Sequence, residues 1–104
     1  MPFPYCSNLE AYLDMQPPGP ASLHAFATFV FPTTGYNVKL IRMVPQGINP
    51  YDLLLYAHVI PPTGPALDVL TEVHARYDED PALLNYTTVT ITNSGKTTNV
   101  KIIV

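Results

Sequence analysis

Two short stretches of this chain nearly copy each other: Pro17-Pro18-Gly19-Pro20-Ala21 and Pro61-Pro62-Thr63-Gly64-Pro65-Ala66. Proline has no amide hydrogen to give to a ladder, and glycine weakens any strand it interrupts. Neither block can therefore be anything but a connection. Each is followed within two residues by a leucine, Leu23 or Leu67, and then by an alternating apolar and polar run. The pair cuts the chain at equivalent points of a strand-rich architecture. Identity stops at the blocks, so they read as convergent loop chemistry rather than as duplicated halves.

Between the blocks the period is two almost everywhere. Leu9, Ala11, Leu13 and Met15 alternate with Asn8, Glu10, Tyr12 and Asp14, which predicts a half-buried strand. Leu23, Ala25, Ala27, Phe29 and Phe31 share a face opposite His24, Phe26, Thr28 and Val30, and this two-sided apolarity predicts a central strand. Pro32-Thr33-Thr34-Gly35 reads as a tight reversal. Tyr36, Val38, Leu40 and Val44 form the inner face of a third strand, and Tyr51–Ile60 is a second central strand. Leu67–Tyr77 alternates cleanly, with no recurrence at three and four that would favour a helix. Ala82-Leu83-Leu84-Asn85 could make one helical turn, and Asn93-Ser94-Gly95-Lys96 joins the last two strands as a hairpin. Seven strands spaced roughly 8–12 residues apart predict an all-β, antiparallel, immunoglobulin-like β-sandwich, with a small β-barrel as the alternative. The chain reads as one domain, with residues 1–7 a loosely packed N-terminal segment.

Composition narrows function more by exclusion than by assignment. The 104 residues are 47% hydrophobic and only 12% charged, with a net charge of −3. Lys39, Arg42, Arg76, Lys96 and Lys101 are scattered singly, so nucleic acid and anionic membranes are poor partners. A single cysteine, Cys6, excludes an internal disulfide framework and fits a reducing compartment. The N-terminus has neither the cationic nor the apolar region of a signal peptide, and the expected location is cytoplasmic.

Catalytic material is thin. Ser7, Ser22 and Ser94 lack a G-x-S-x-G context, Cys6 sits in a proline-rich terminus, and the glycines are too dispersed to cradle a phosphate. No catalytic residue and no cofactor is expected, and the protein is not expected to be an enzyme. His24, His58 and His74 all fall on outward faces. They are weak metal candidates, with Asp52, Glu72 and Cys6 as conceivable further ligands, because no His-x-His or Cys-x-x-Cys spacing is present. Asp78-Glu79-Asp80 reads as a solvated strand end whose charges blunt an edge.

Binding is the more natural expectation. Tyr12 and Tyr56 face outward and could contribute to an aromatic recognition surface or dimer interface. Pro18, Gly19 and Pro20, with Pro62, Thr63, Gly64 and Pro65, could form a second surface if both blocks met at one pole, in the manner of a loop-presenting protease inhibitor. The expected partner is a protein or a second copy, giving a homodimer.

Pro45-Gln46-Gly47-Ile48-Asn49-Pro50-Tyr51-Asp52-Leu53-Leu54-Leu55, followed by Pro61-Pro62-Thr63-Gly64-Pro65, resembles a group of small uncharacterised bacterial proteins. Those carry P-Q-G-I-N-P-x-x-L-L-L, then P-P-T-G-P, then an acidic strand end. Val73-His74-Ala75-Arg76-Tyr77-Asp78-Glu79-Asp80 stands in that last position. The resemblance runs from Gln16 onward and implies the same fold, with no activity attached.

Overall fold

The computed structural model describes residues 4–104. Among the described residues are seven strands and no helix: β1 (Tyr5–Asp14), β2 (Ser22–Phe31), β3 (Asn37–Arg42), β4 (Asp52–Ile60), β5 (Thr71–Glu79), β6 (Thr88–Ile91) and β7 (Lys96–Ile103). They form one sheet in the order β3-β4-β6-β7-β1-β2-β5, curled into a nearly closed barrel. The all-β expectation holds, in its barrel-like form.

The pairing departs from a purely antiparallel scheme. Four pairs are antiparallel, while β1 with β7 and β4 with β6 are parallel. Odd-numbered strands all run one way and even-numbered strands the other. Every connection that leaves an odd strand therefore lies at one end of the barrel, here the upper end. β7 changes partner midway: Lys96–Asn99 pair with β6, and Val100–Ile103 pair with β1. It is the hydrogen-bonded link between two half-sheets. The outer strands β3 and β5 close the barrel by side-chain contact without a ladder.

The core follows the alternation. Leu9, Ala11 and Leu13 point inward from β1, Leu23, Ala25, Ala27, Phe29 and Phe31 from β2, Leu53, Leu55 and Ala57 from β4, and Val89 and Ile91 from β6. Burial of each large apolar side chain contributes about 1.5–3 kcal/mol. Small and large residues alternate across the interior, as a narrow barrel requires. Ala11, Ala25 and Tyr77 lie in one register row, so the tyrosine ring points inward beside two alanines.

Several local expectations are corrected. Pro32–Gly35 is no hairpin, because β2 and β3 are not paired and the segment crosses between half-sheets. There Gly35 adopts φ +92°, and a Cβ on it would lie 2.7 Å from that of Pro62. β5 begins at Thr71, not Leu67. The Leu67 amide donates to Thr34 Oγ1 at 3.0 Å and its carbonyl accepts the Thr34 amide at 3.0 Å, which holds Leu67–Leu70 against the crossing segment with leucines exposed. Ala82–Asn85 forms no helical turn, and Val44 lies beyond β3 with its side chain in solvent. Of the segment expected to pack loosely, residues 1–3 lie outside the described residues. Pro4 is buried, and Tyr5–Ser7 run in β1 with Cys6 in the core. Ser94 Oγ, in the β6–β7 turn, donates to the Pro4 carbonyl at 2.9 Å.

Candidate functional site

The upper end carries the β1–β2, β3–β4 and β5–β6 connections, the last of which is tied to both of the others. The Ala82 amide donates to the Ala21 carbonyl at 2.8 Å and the Thr87 amide to the Tyr51 carbonyl at 2.8 Å. Nine of the sixteen large apolar side chains left exposed among the described residues gather at this end: Met15, Val44, Ile48, Tyr51, Leu83, Leu84, Ile102, Ile103 and Val104. A monomer surface rarely concentrates apolar residues this way without a use for them.

The β3–β4 connection is the most built of the three. Gln46 Nε2 donates to the carbonyls of Met43 (2.7 Å) and Leu54 (2.9 Å), and its Oε1 accepts the Leu54 amide at 2.9 Å. One carboxamide thus takes the place of a strand partner. Gly47 lies flat against Leu54, where a Cβ would come to 3.0 Å of Leu54 Cδ1. Asn49 Oδ1 accepts the Tyr51 amide at 3.0 Å and starts β4. The loop so fixed presents Ile48 wholly in solvent and Val44 almost so. The Gln-Gly-Ile-Asn motif is therefore a loop lock with an apolar tip.

Beneath this end lies a polar cluster across the β3–β5 seam. Glu79, 8% exposed, accepts from the Tyr77 hydroxyl at 2.9 Å and the Leu83 amide at 2.8 Å, and pairs with Arg42 at 3.5 Å. The expectation of a solvated acidic strand end is corrected here: Asp78 and Asp80 are exposed, whereas Glu79 is buried. Burial, then the Glu79 carboxylate, pushes the Tyr77 hydroxyl well above the ordinary tyrosine range. Burial, then Glu79, raises Tyr86 as well, whose enclosed hydroxyl meets no well-aligned hydrogen-bond partner among the described residues.

The outward face of β1–β2–β5 is polar and aromatic. Its rows are Asn8–Thr28–His74, Glu10–Phe26–Arg76 and Tyr12–His24–Asp78. Arg76 lies over the Phe26 ring at 5.3 Å, and Tyr12 meets that ring edge-on at 6.2 Å. The first two rows line a shallow groove of about 500 Å³. Along the third row, His24 Nδ1 is 2.6 Å from Asp78 Oδ1, and His24 Nε2 is 2.9 Å from Ser22 Oγ.

The residues singled out in the sequence for binding, and the three histidines singled out for a metal, are not brought together. Pro18, Gly19 and Pro20 stand at the upper end, and Pro62, Thr63, Gly64 and Pro65 at the lower, because the first block follows an odd strand and the second an even one. Tyr12 and Tyr56 lie on different half-sheets. His24 and His74 share a half-sheet two rows apart, and His58 sits opposite Lys39 on the other. No group of three or more His, Cys, Asp or Glu side chains among the described residues could hold a metal ion. Among the same residues no helix is long and apolar enough to cross a membrane. The residues that sequence reasoning missed are Gln46, Val44, Ile48 and Glu79. The motif itself was the available signal for the first and third of these.

No protein-family model, curated protein or solved structure matches this chain.

Proposed function

We propose that this protein is a protein-binding module that docks through its upper end. The observation that carries the reading is the Gln46-locked loop holding Ile48 out in solvent among other exposed apolar side chains. A preorganised loop loses little conformational freedom on binding, so its apolar contacts translate into affinity. Self-association is the form tested first, since the low charge of the chain leaves this end little else to keep copies apart. The free, buried Cys6 thiol fits a cytoplasmic setting. We further propose that the two half-sheets sharing β7 relate the fold to immunoglobulin-like sandwiches, with the outer edges of β3 and β5 unpaired.

Sedimentation velocity of the wild type and of Ile48→Asp tests the docking surface. A wild-type dimer that becomes a monomer on substitution supports self-association. If the wild type is monomeric, both proteins serve as baits in native extract, and a partner retained by wild type but lost by Ile48→Asp supports hetero-association. A monomer whose captured proteins ignore the substitution overturns the reading.

A second reading is that the locked loop inhibits a protease by occupying its cleft. The same rigidity and the exposed tip favour it. Unchanged hydrolysis rates across serine, cysteine, aspartic and metalloprotease representatives would remove it.

A further inference from the structure

Asp78 accepts a fork from Arg76, Nε to Oδ2 at 2.7 Å and Nη2 to Oδ1 at 3.0 Å, which holds its carboxyl below the usual carboxylate range. An ionised carboxylate can only accept hydrogen bonds, so the proton between Asp78 and His24 belongs to His24 Nδ1. In the neutral imidazole the other nitrogen then carries the lone pair. Ser22 Oγ, 2.9 Å from that nitrogen, must be the donor. The chain of charge and protons is thereby fixed from one end to the other.

We propose that Ser22, His24 and Asp78 form a nucleophilic relay, with Ser22 Oγ as nucleophile, His24 Nε2 as general base and Asp78 as the positioning residue. The inference stands apart from the docking surface. Its basis is geometric: nucleophile to base and base to orienting carboxylate are both within hydrogen-bond reach, the arrangement by which such relays are recognised whatever their order in the chain. Ser22 and His24 are two apart on β2 and so share a face, while the β2–β5 register sets Asp78 directly opposite His24. All three are partly accessible. The row two steps away supplies an internal control. Thr28 Oγ1 lies 3.1 Å from His74 Nδ1, yet among the described residues no carboxylate bonds to that ring to fix its tautomer.

The step balances without a cofactor. Ser22 Oγ bonds to the carbonyl carbon of an ester as its proton passes to His24 Nε2. The carbon–oxygen bond to the leaving group breaks, and that group takes the proton from Nε2. Water then attacks the acyl-serine, giving a proton to Nε2, which returns it to Oγ as the carboxylic acid leaves. The geometry assigns no oxyanion donor among the described residues, so the substrates in reach are activated acyl donors with good leaving groups, aryl esters above all.

The probe is a fluorophosphonate, whose P–F bond breaks as the Oγ–P bond forms, with the modified residue mapped by mass spectrometry and aryl acetate hydrolysis followed in parallel. Wild-type protein is expected to carry one adduct, on Ser22 and not on Thr28. His24→Gln should slow labelling about 100-fold, the lower range for loss of a general base. Asp78→Asn should slow it as well, and Asp78→Glu, which keeps the carboxylate, should restore part of the rate. Circular dichroism verifies that each variant is folded. No adduct on Ser22 in native protein, equal labelling of Ser22 and Thr28, or a rate indifferent to His24→Gln or Asp78→Asn would overturn the proposal.

Discussion

The carboxamide of Asn93 pairs in both directions with the main chain of Ala57: Nδ2 donates to its carbonyl at 2.9 Å, and Oδ1 accepts its amide at 3.0 Å. Gln46 does the same to Leu54. Because neighbouring residues of a strand direct their amides to opposite sides, these two side chains serve the two edges of β4. β6 is only four residues long, and Asn93 continues its pairing where the strand ends. Gln46 likewise finishes the β3 side.

Loss of either amide strands a main-chain donor and acceptor. With each net hydrogen bond contributing about 0.5–1.5 kcal/mol, Gln46→Ala and Asn93→Ala should each destabilise the protein by about 2 kcal/mol. They share no partner, so the double variant should show the sum. Urea unfolding measures all three.

Gly35→Ala and Gly64→Ala should part company. The first places a Cβ against Pro62 at a positive φ, a combination expected to cost about 2 kcal/mol or more from backbone strain alone. The second meets nothing within 4 Å and should stay within about 0.5 kcal/mol of wild type. Thermal melts of the pair give the comparison.

Stability should fall on the alkaline side. The Tyr77, Tyr86 and Cys6 groups all titrate higher in the folded state, chiefly through burial. The folded protein thus holds protons that the unfolded chain has released above roughly pH 9–10. Stability contributed by these groups is complete below that range and is lost as pH rises through it. Asp78 acts at the other extreme: its folded value is lowered, so its contribution is present above the ordinary aspartate range and disappears as pH falls through the folded value. Urea midpoints across pH should show both shoulders.

Glu79→Gln should lower the Tyr77 titration toward the ordinary range, because it removes the carboxylate charge while keeping an acceptor for the hydroxyl. Tyrosinate absorbance reads the shift. Glu79→Ala leaves Arg42 uncompensated and should cost about 3 kcal/mol.

The inward and outward faces of β1, β2, β4 and β5 were legible because a period of two is a direct record of which side is buried. Neighbour choice was not. Nothing in the alternation of Leu9, Ala11 and Leu13 says that β1 pairs in parallel with β7. Leu67–Leu70 kept the rhythm of a strand, but its backbone is held by Thr34, a partner 33 residues away. The proximity of Ser22 and His24 was readable from their spacing, whereas Asp78 reaches them only through a register 54 residues distant. Gln46 was visible within a motif, yet its role depends on a main chain eight residues on. The polar seam failed to show because Glu79 sits between two exposed aspartates and looks like them in sequence.

β7 hands over from one half-sheet to the other between Asn99 and Val100. A strand serving two ladders has its register checked twice. Sliding it by one residue would turn Thr98 and Val100 outward and bring Asn99 and Lys101 to the interior, mismatching β6 and β1 at the same moment. Misregistered forms are thus penalised on both sides of the barrel, and the last strand in the chain acts as the proofreading element of its assembly.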